Sequence, residues 1–277
     1  MKKDKVINFI LVIIFIAGLS LLLYPSVSNY WNSLHQTKAI SSYNEEVTKL
    51  DSNAYDKILS EAREYNEKAK DRNGRFELTK EEKAEYNKTL DITGTGIMAY
   101  IEIPSIRVTL PIYHGVDDTI LQVAAGHLDW STLPIGGEST HCVVSGHRGL
   151  PSAKLFTEID RLVTGDIFMF RVLNEVYTYE VDQIRIVEPE EIDELLITEG
   201  EDYCTLVTCT PYGINSHRLL IRGHRIENGI DISSIRIVAD AVKIDPLIVA
   251  PIVAIPIFIV FLILLLKSDK KRKEELD

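Results

Sequence analysis

Cysteine, histidine and arginine are the residues in this chain with types and spacing suited to acyl chemistry. Cys209 closes the run Thr205-Leu-Val-Thr-Cys209, and Arg218 opens the apolar run Leu219, Leu220, Ile221 after a loop punctuated by Pro211 and Gly213. Threonine, valine and leucine in these runs read as strands. A thiol at one strand end therefore faces a fixed positive charge at the start of the next. A thiol is only partly ionised near neutral pH, so its use as a nucleophile requires a neighbouring imidazole, arginine or set of amides. His147 follows the strand-like run Cys142-Val-Val-Ser-Gly and stands, like Cys209, at a strand mouth. Arg218 stays protonated and cannot act as a base, but its fork of donors suits a developing oxyanion. Cys209, His147 and Arg218 thus form a candidate set of nucleophile, proton shuttle and oxyanion clamp. His114 and His127 read as loop residues, His217 adjoins Arg218, and any one of them alone is as well explained by a surface or capping role. No Cys-x-x-Cys or His-x-x-x-His pattern accompanies them, so a metal is not expected.

The elements that must hold these groups begin at Gly96. Apolar runs at 98–103, 108–112, 141–145, 166–173, 176–186, 203–208 and 219–224 alternate with turn residues, the pattern of a mainly β barrel or sandwich. A short helix is expected over 119–125. Before Gly96 the spacing turns helical. Tyr30, Leu34, Ile40, Tyr43, Val47 and Leu50 recur at helical intervals, and Asp51 and Ser52 can cap a second helix bearing Tyr55, Ile58, Leu59, Ala62 and Tyr65. Asp71-Arg72-Asn73-Gly74 breaks that helix, and Thr79 with Glu82 forms a capping box for a third through Tyr86. Such an arm either packs on the β domain or serves as a spacer.

Two apolar runs bracket the whole. Residues 6–24 follow Lys2, Lys3 and Lys5, and residues 247–266 precede Lys267, Lys270, Lys271, Arg272 and Lys273. Each approaches the ~20 residues a helix needs to cross a bilayer. The first exceeds a signal-peptide core and lacks a small-residue cleavage site, so an uncleaved anchor is expected. Basic flanks at both ends place both termini in the cytoplasm and everything between them outside. The 277 residues carry a net charge of −11, more acidic still once those basic flanks are set aside, which argues against nucleic acid as a partner. With 3 cysteines, at least one stays unpaired. Cys142 precedes His147 by the same interval as Cys204 precedes Cys209, so neighbouring parallel strands would set Cys142 beside Cys204. Bridging adjacent parallel strands strains a disulfide, so both are expected as buried free thiols.

Thr205-Leu-Val-Thr-Cys209, Ser145-Gly-His-Arg-Gly-Leu-Pro and Asn215-Ser-His-Arg218, with Gly126-His-Leu and Leu133-Pro-Ile-Gly-Gly137, resemble the signatures of the sortases, in particular the pilin-polymerising class C. The resemblance covers roughly 96–225, and a membrane helix after the domain is also a class C habit. It implies an eight-stranded β-barrel with short connecting helices, an N-terminal helical arm and two transmembrane helices, on the outer face of a Gram-positive bacterium. The resulting plan is a cytoplasmic start at 1–5, a span at 6–24, an arm at 25–95, a catalytic barrel at 96–230, a juxtamembrane segment at 231–246, a span at 247–266 and a basic tail at 267–277. The resemblance assigns Cys209 as nucleophile, His147 as general acid and base and Arg218 as substrate clamp. Cys209 would attack the Thr–Gly bond of a Leu-Pro-x-Thr-Gly-like sorting signal, and a lysine of a pilin subunit would resolve the thioester as an isopeptide bond. No cofactor is implied. A housekeeping sortase acting on the cell wall, a membrane-anchored cysteine peptidase and a non-catalytic binding module are the alternatives. Class C enzymes usually carry an Asp-Pro-aromatic lid before the barrel. No Asp-Pro occurs between Pro25 and Gly96, so an altered or absent lid anchor is expected around Asp71, Arg72 and Phe76.

Overall fold

The computed structural model describes residues 2–72, 74–228, 256–258 and 260. The chain divides into two compact units, residues 1–31 with 240–277, and residues 32–239.

Helix α1 (Lys2–Lys49) starts in the first unit, and after its charged first residues none of its most apolar window is buried. It is long and apolar enough to cross a membrane. Pro25 lies inside this helix. The span and the first arm helix, expected as separate elements, are therefore one continuous helix. Phe15 stacks on Phe258 at 5.3 Å. The rest of the second apolar run, the juxtamembrane segment and the basic tail fall outside the described residues.

In the second unit, the end of α1 is followed by α2 (Ser52–Lys70) and α3 (Lys80–Lys88). Asp51 caps α2 through a bond from the Ala54 amide, and Thr79 and Glu82 form the expected capping box on α3. The arm packs on the barrel rather than spacing it. Tyr43 of α1 donates to Met98 O and accepts from the Leu173 amide. Asn66 of α2 makes a two-way clamp with the backbone of Leu133, donating to its carbonyl at 3.2 Å and accepting from its amide at 2.7 Å. Tyr43, Leu59, Ala62, Tyr65 and Tyr86 are buried with the barrel's own core, so the three helices bury one apolar face against it.

The eight described strands are β1 (Ile97–Ile103), β2 (Val108–His114), β3 (Ala125–His127), β4 (Thr140–Ser145), β5 (Ile167–Val172), β6 (Glu175–Val187), β7 (Asp202–Thr210) and β8 (His217–Ile226). They close in the order β1-β2-β3-β4-β7-β8-β6-β5. Closure settles the barrel-or-sandwich alternative in favour of the barrel and removes most free strand edges. The helix expected over 119–125 is only α4 (Asp118–Leu121), and Ala125 begins β3 instead. Gly126 is the reason this short strand fits: a Cβ there would lie 2.3 Å from Gly115 O, so backbone meets backbone at the crossing.

Two pairings matter for the site. Strands β4 and β7 run parallel, in a register that opposes Cys142 to Cys204 and Ser145 to Val207. Strands β7 and β8 run antiparallel, opposing Cys209 to Arg218. Cys142 and Cys204 are buried free thiols, as expected.

Candidate active site

Strand alternation divides the β4-β7-β8 surface into two faces. Cys142, Val144, Cys204, Leu206, Leu219 and Ile221 point into the main core. Val143, Val207, Leu220, Val187 and Leu195 form a separate apolar cluster on the other face, with Leu128 and Trp130 packed against it. Cys209 continues the Val207 side of β7, and Arg218 the Leu220 side of β8. The thiol therefore stands at the end of an apolar stripe, half-buried, with the guanidinium of its cross-strand neighbour on the same face. Directly opposed residues on an antiparallel pair have Cβ atoms ~4.5–5.5 Å apart, close enough for one bound group to touch both. Arg218 is steadied by backbone acceptors, its Nη1 donating to Asn215 O at 3.3 Å and to His217 O at 3.2 Å. Asn215 holds φ 61°, a left-handed turn that asparagine tolerates better than most residues.

His147 arrives from the parallel neighbour. Ser145, two residues before His147, opposes Val207, two residues before Cys209. The loop carrying it is knitted to β7: Gly146 N donates to Val207 O, the Thr208 hydroxyl donates to Gly146 O at 2.7 Å, and Phe156 N donates to His147 O. Gly146 has no room for a side chain, since a Cβ would approach the Phe156 ring to 2.6 Å. His147 is half-buried. The structure thus gathers Cys209, Arg218 and His147 at one end of three adjacent strands.

The other histidines are committed elsewhere. His114 and His127, expected in loops, end β2 and β3 and are buried. His127 Nε2 lies 2.8 Å from Thr132 O and Nδ1 3.0 Å from the Tyr86 hydroxyl. A carbonyl only accepts, so Nε2 is assigned the proton and Nδ1 accepts from Tyr86. His114 bridges Gly96 O and Thr89 O, and burial pushes its pKa down. His217 lies 3.2 Å from Glu188 and contacts the Ser216 hydroxyl. Among the described residues no His, Cys, Asp and Glu cluster has metal-binding geometry.

Three residues on or around the strands that carry the site escaped the sequence reading. Trp130 packs on the stripe and meets Phe76 edge-on, with ring centroids 4.9 Å apart. Phe76 is thus placed against Trp130, and the adjacent Arg72 is buried over the Tyr65 ring at 4.8 Å. His141 donates from Nδ1 to Leu196 O at 2.9 Å and accepts at Nε2 from the Thr205 hydroxyl at 2.7 Å, fastening the loop before β7 to the sheet. Burial lowers its pKa to about 4. Arg148 reaches Asp160, Thr210 and Tyr212. The only signals were their neighbours: Arg148 follows His147, and His141 lies in the strand that leads to it.

A family model described as the sortase domain matches residues 101–226. The crystal structure of sortase C1 from Streptococcus agalactiae is 52% identical, with a TM-score of 0.68, the match covering 69% of this chain and 100% of that one. The chain belongs to the sortase family. Sortases are cysteine transpeptidases, and the solved structures that this one resembles support the pilin-type class C. Sortase C from Clostridium perfringens, solved with the C-terminal cell wall sorting motif, is 40% identical with a TM-score of 0.60, the match covering 69% of this sortase and 99% of that chain. The curated sortase A of Streptococcus agalactiae serotype III is 32% identical over 117 residues, 41% of this chain and 47% of the relative. The match thus spans about half the length of that relative and the whole of the sortase C1 structure.

Proposed function

We propose that this sortase cleaves a Leu-Pro-x-Thr-Gly-like sorting signal through a thioester on Cys209 and transfers the acyl group to a lysine of a pilin subunit. The observation that carries the reading is the pairing of Cys209 with Arg218 at the end of an apolar stripe, with His147 at the mouth of the adjoining parallel strand. The stripe offers a dry floor to the leucine and proline of the signal. The Cys209 sulfur attacks the threonine carbonyl carbon, and the Arg218 fork stabilises the oxyanion. Collapse breaks the C–N bond, and His147 gives its proton to the departing glycine amine. The lysine amine then attacks the thioester, loses a proton to His147 and expels Cys209 as the thiolate, which restores the thiolate and protonated imidazole for the next cycle. Transfer rather than hydrolysis requires that water be kept from the thioester until the amine arrives.

The apolar stretch at 6–24 and the run at 247–266 would anchor the enzyme with its barrel, at 96–230, outside the membrane, where pilin subunits meet it. Mass spectrometry of the full chain in detergent, exposed to sorting peptides and then to a lysine-bearing pilin domain, tests the reading. The expected results are an acyl mass on Cys209, its absence in Cys209→Ala, and covalent peptide–pilin product. An adduct on another residue, or hydrolysed peptide as the main product with the pilin present, refutes it.

A further inference from the structure

Arg148 has an environment that packing alone does not explain. Its side chain is only 10% exposed, and its Nε is buried with no partner among the described residues. One end of the fork, Nη2, donates to Asp160 in the 3-10 turn Ile159–Arg161. The other end, Nη1, reaches the Thr210 hydroxyl at 3.4 Å, and the guanidinium lies over the Tyr212 ring, 5.8 Å from its centroid. Tyr212 also covers Gly149, where a Cβ would meet the ring at 3.0 Å. One side chain therefore joins three segments: the loop that carries His147, the turn at Asp160 and the loop that follows Cys209.

Its two covalent attachments are informative. Arg148 is bonded directly to His147, and its acceptor Thr210 is bonded directly to Cys209. The Arg148 to Thr210 contact ties the two chain segments together beyond the last β4–β7 ladder pair, on the far side of His147 and Cys209 from the bonds that join Gly146 to Val207 and Thr208. A buried charge with an unmet donor is less stable than a well-packed apolar side chain of similar volume. Only a planar fork that also stacks on an aromatic face makes all these contacts at once, which lysine does not do.

We propose that Arg148 is a positioning residue that sets the spacing between the His147 imidazole and the Cys209 thiol. The proposal rests on the assignment of those two residues as acid/base and nucleophile. Displacement of reacting groups by about 1 Å lowers a rate by up to ~100-fold. The loss should fall on the chemical step and spare the binding of the sorting peptide on the stripe.

The experiment uses the full chain in detergent, with Arg148→Met, Arg148→Lys and Asp160→Asn. Transfer of a sorting peptide to a lysine-bearing acceptor is measured as kcat and KM, with active sites counted by alkylation of Cys209 and the pH dependence of kcat/KM recorded. The expected result for Arg148→Met is a fall in kcat per active site of roughly 10–100-fold, KM within about twofold and a displaced pH optimum, with Arg148→Lys recovering part of the loss. A kcat per active site within about twofold of wild type, or a loss carried wholly by KM, overturns it. If Arg148→Met does not fold, Thr210→Val and Tyr212→Leu remove the far ends of the same tie and must show the same kcat loss. Wild type forming no thioester on Cys209 would sink the underlying reading of the site. Wild-type activity with an unaffected Arg148→Met sinks this inference alone.

Discussion

Acidification should loosen the substrate face through one residue. His141 is buried between Leu196 O and the Thr205 hydroxyl, and burial lowers its pKa to about 4, with the nearby Arg222 pushing the same way and Asp182 opposing. In the unfolded chain a histidine titrates near ~6.5. Between those values the unfolded state binds the extra proton, so stability rises with pH across the window and falls as pH drops from about 6.5 towards 4. The complete loss is about 3 kcal/mol, of which roughly 2 kcal/mol is gone by about pH 5. His114, also lowered by burial, adds a slope of the same sign, so the wild-type slope alone does not isolate His141. The useful quantity is the difference between wild type and His141→Asn, which keeps a donor for Leu196 O and has no group that titrates in this range. Urea unfolding of the full chain in detergent, at pH values from about 7.5 to 5, should show wild type losing ~2 kcal/mol more than the variant. Equal slopes refute the reasoning, as does a nuclear magnetic resonance titration in which the His141 ring takes up its proton near ~6.5.

Other outcomes follow from single contacts. Gly146→Ala should lower stability by about 1–3 kcal/mol and depress transfer activity, because the new methyl meets the Phe156 ring beside His147; thermal unfolding together with the transfer assay checks both. Thr79→Ala removes half of the capping box on α3 and should cost about 1 kcal/mol in urea unfolding, with transfer kinetics unchanged. Phe76→Ala loses the Trp130 contact, and the rate of Cys209 alkylation should change by less than about threefold; a larger rise would show that Phe76 shields the thiol. Thiol counting on the unfolded chain should give 3 thiols with or without prior reductant, whereas 1 would mean that Cys142 and Cys204 are bridged.

The strands that carry Cys209, Arg218 and most of the barrel were legible because their side chains alternate and turn residues separate them. Strand β3 was not, since Ala-Gly-His has neither alternation nor β-branched residues, and its place is fixed by a backbone approach that only glycine permits. The union of span and arm in α1 was hidden by Pro25, which reads locally as a boundary but is accommodated within the helix. The level of Cys142 with Cys204 followed from their equal intervals to His147 and Cys209, but the parallel pairing of the two strands came from the family resemblance and not from the spacing. His114 and His127 read as loop groups because the tyrosine that buries both lies in the arm, far away in sequence. The same holds for His141 and Arg148, whose partners Leu196, Thr205, Asp160 and Thr210 come from other segments.

The parallel pairing of β4 with β7 also constrains the order of events in folding. The two strand ends that meet at the site are separated by β5, β6 and their connections, so bringing them together closes a long loop before any contact rewards it. Strand β7 inserts between β4 and β8, and β8 in turn seals against β6. A chain emerging amino end first has made His147 and most of the barrel before Cys209 appears, yet holds no paired Arg218 until β8 is in place. Chemical competence is thereby tied to completion of the barrel, and a partly folded molecule carries a thiol with no assembled site around it.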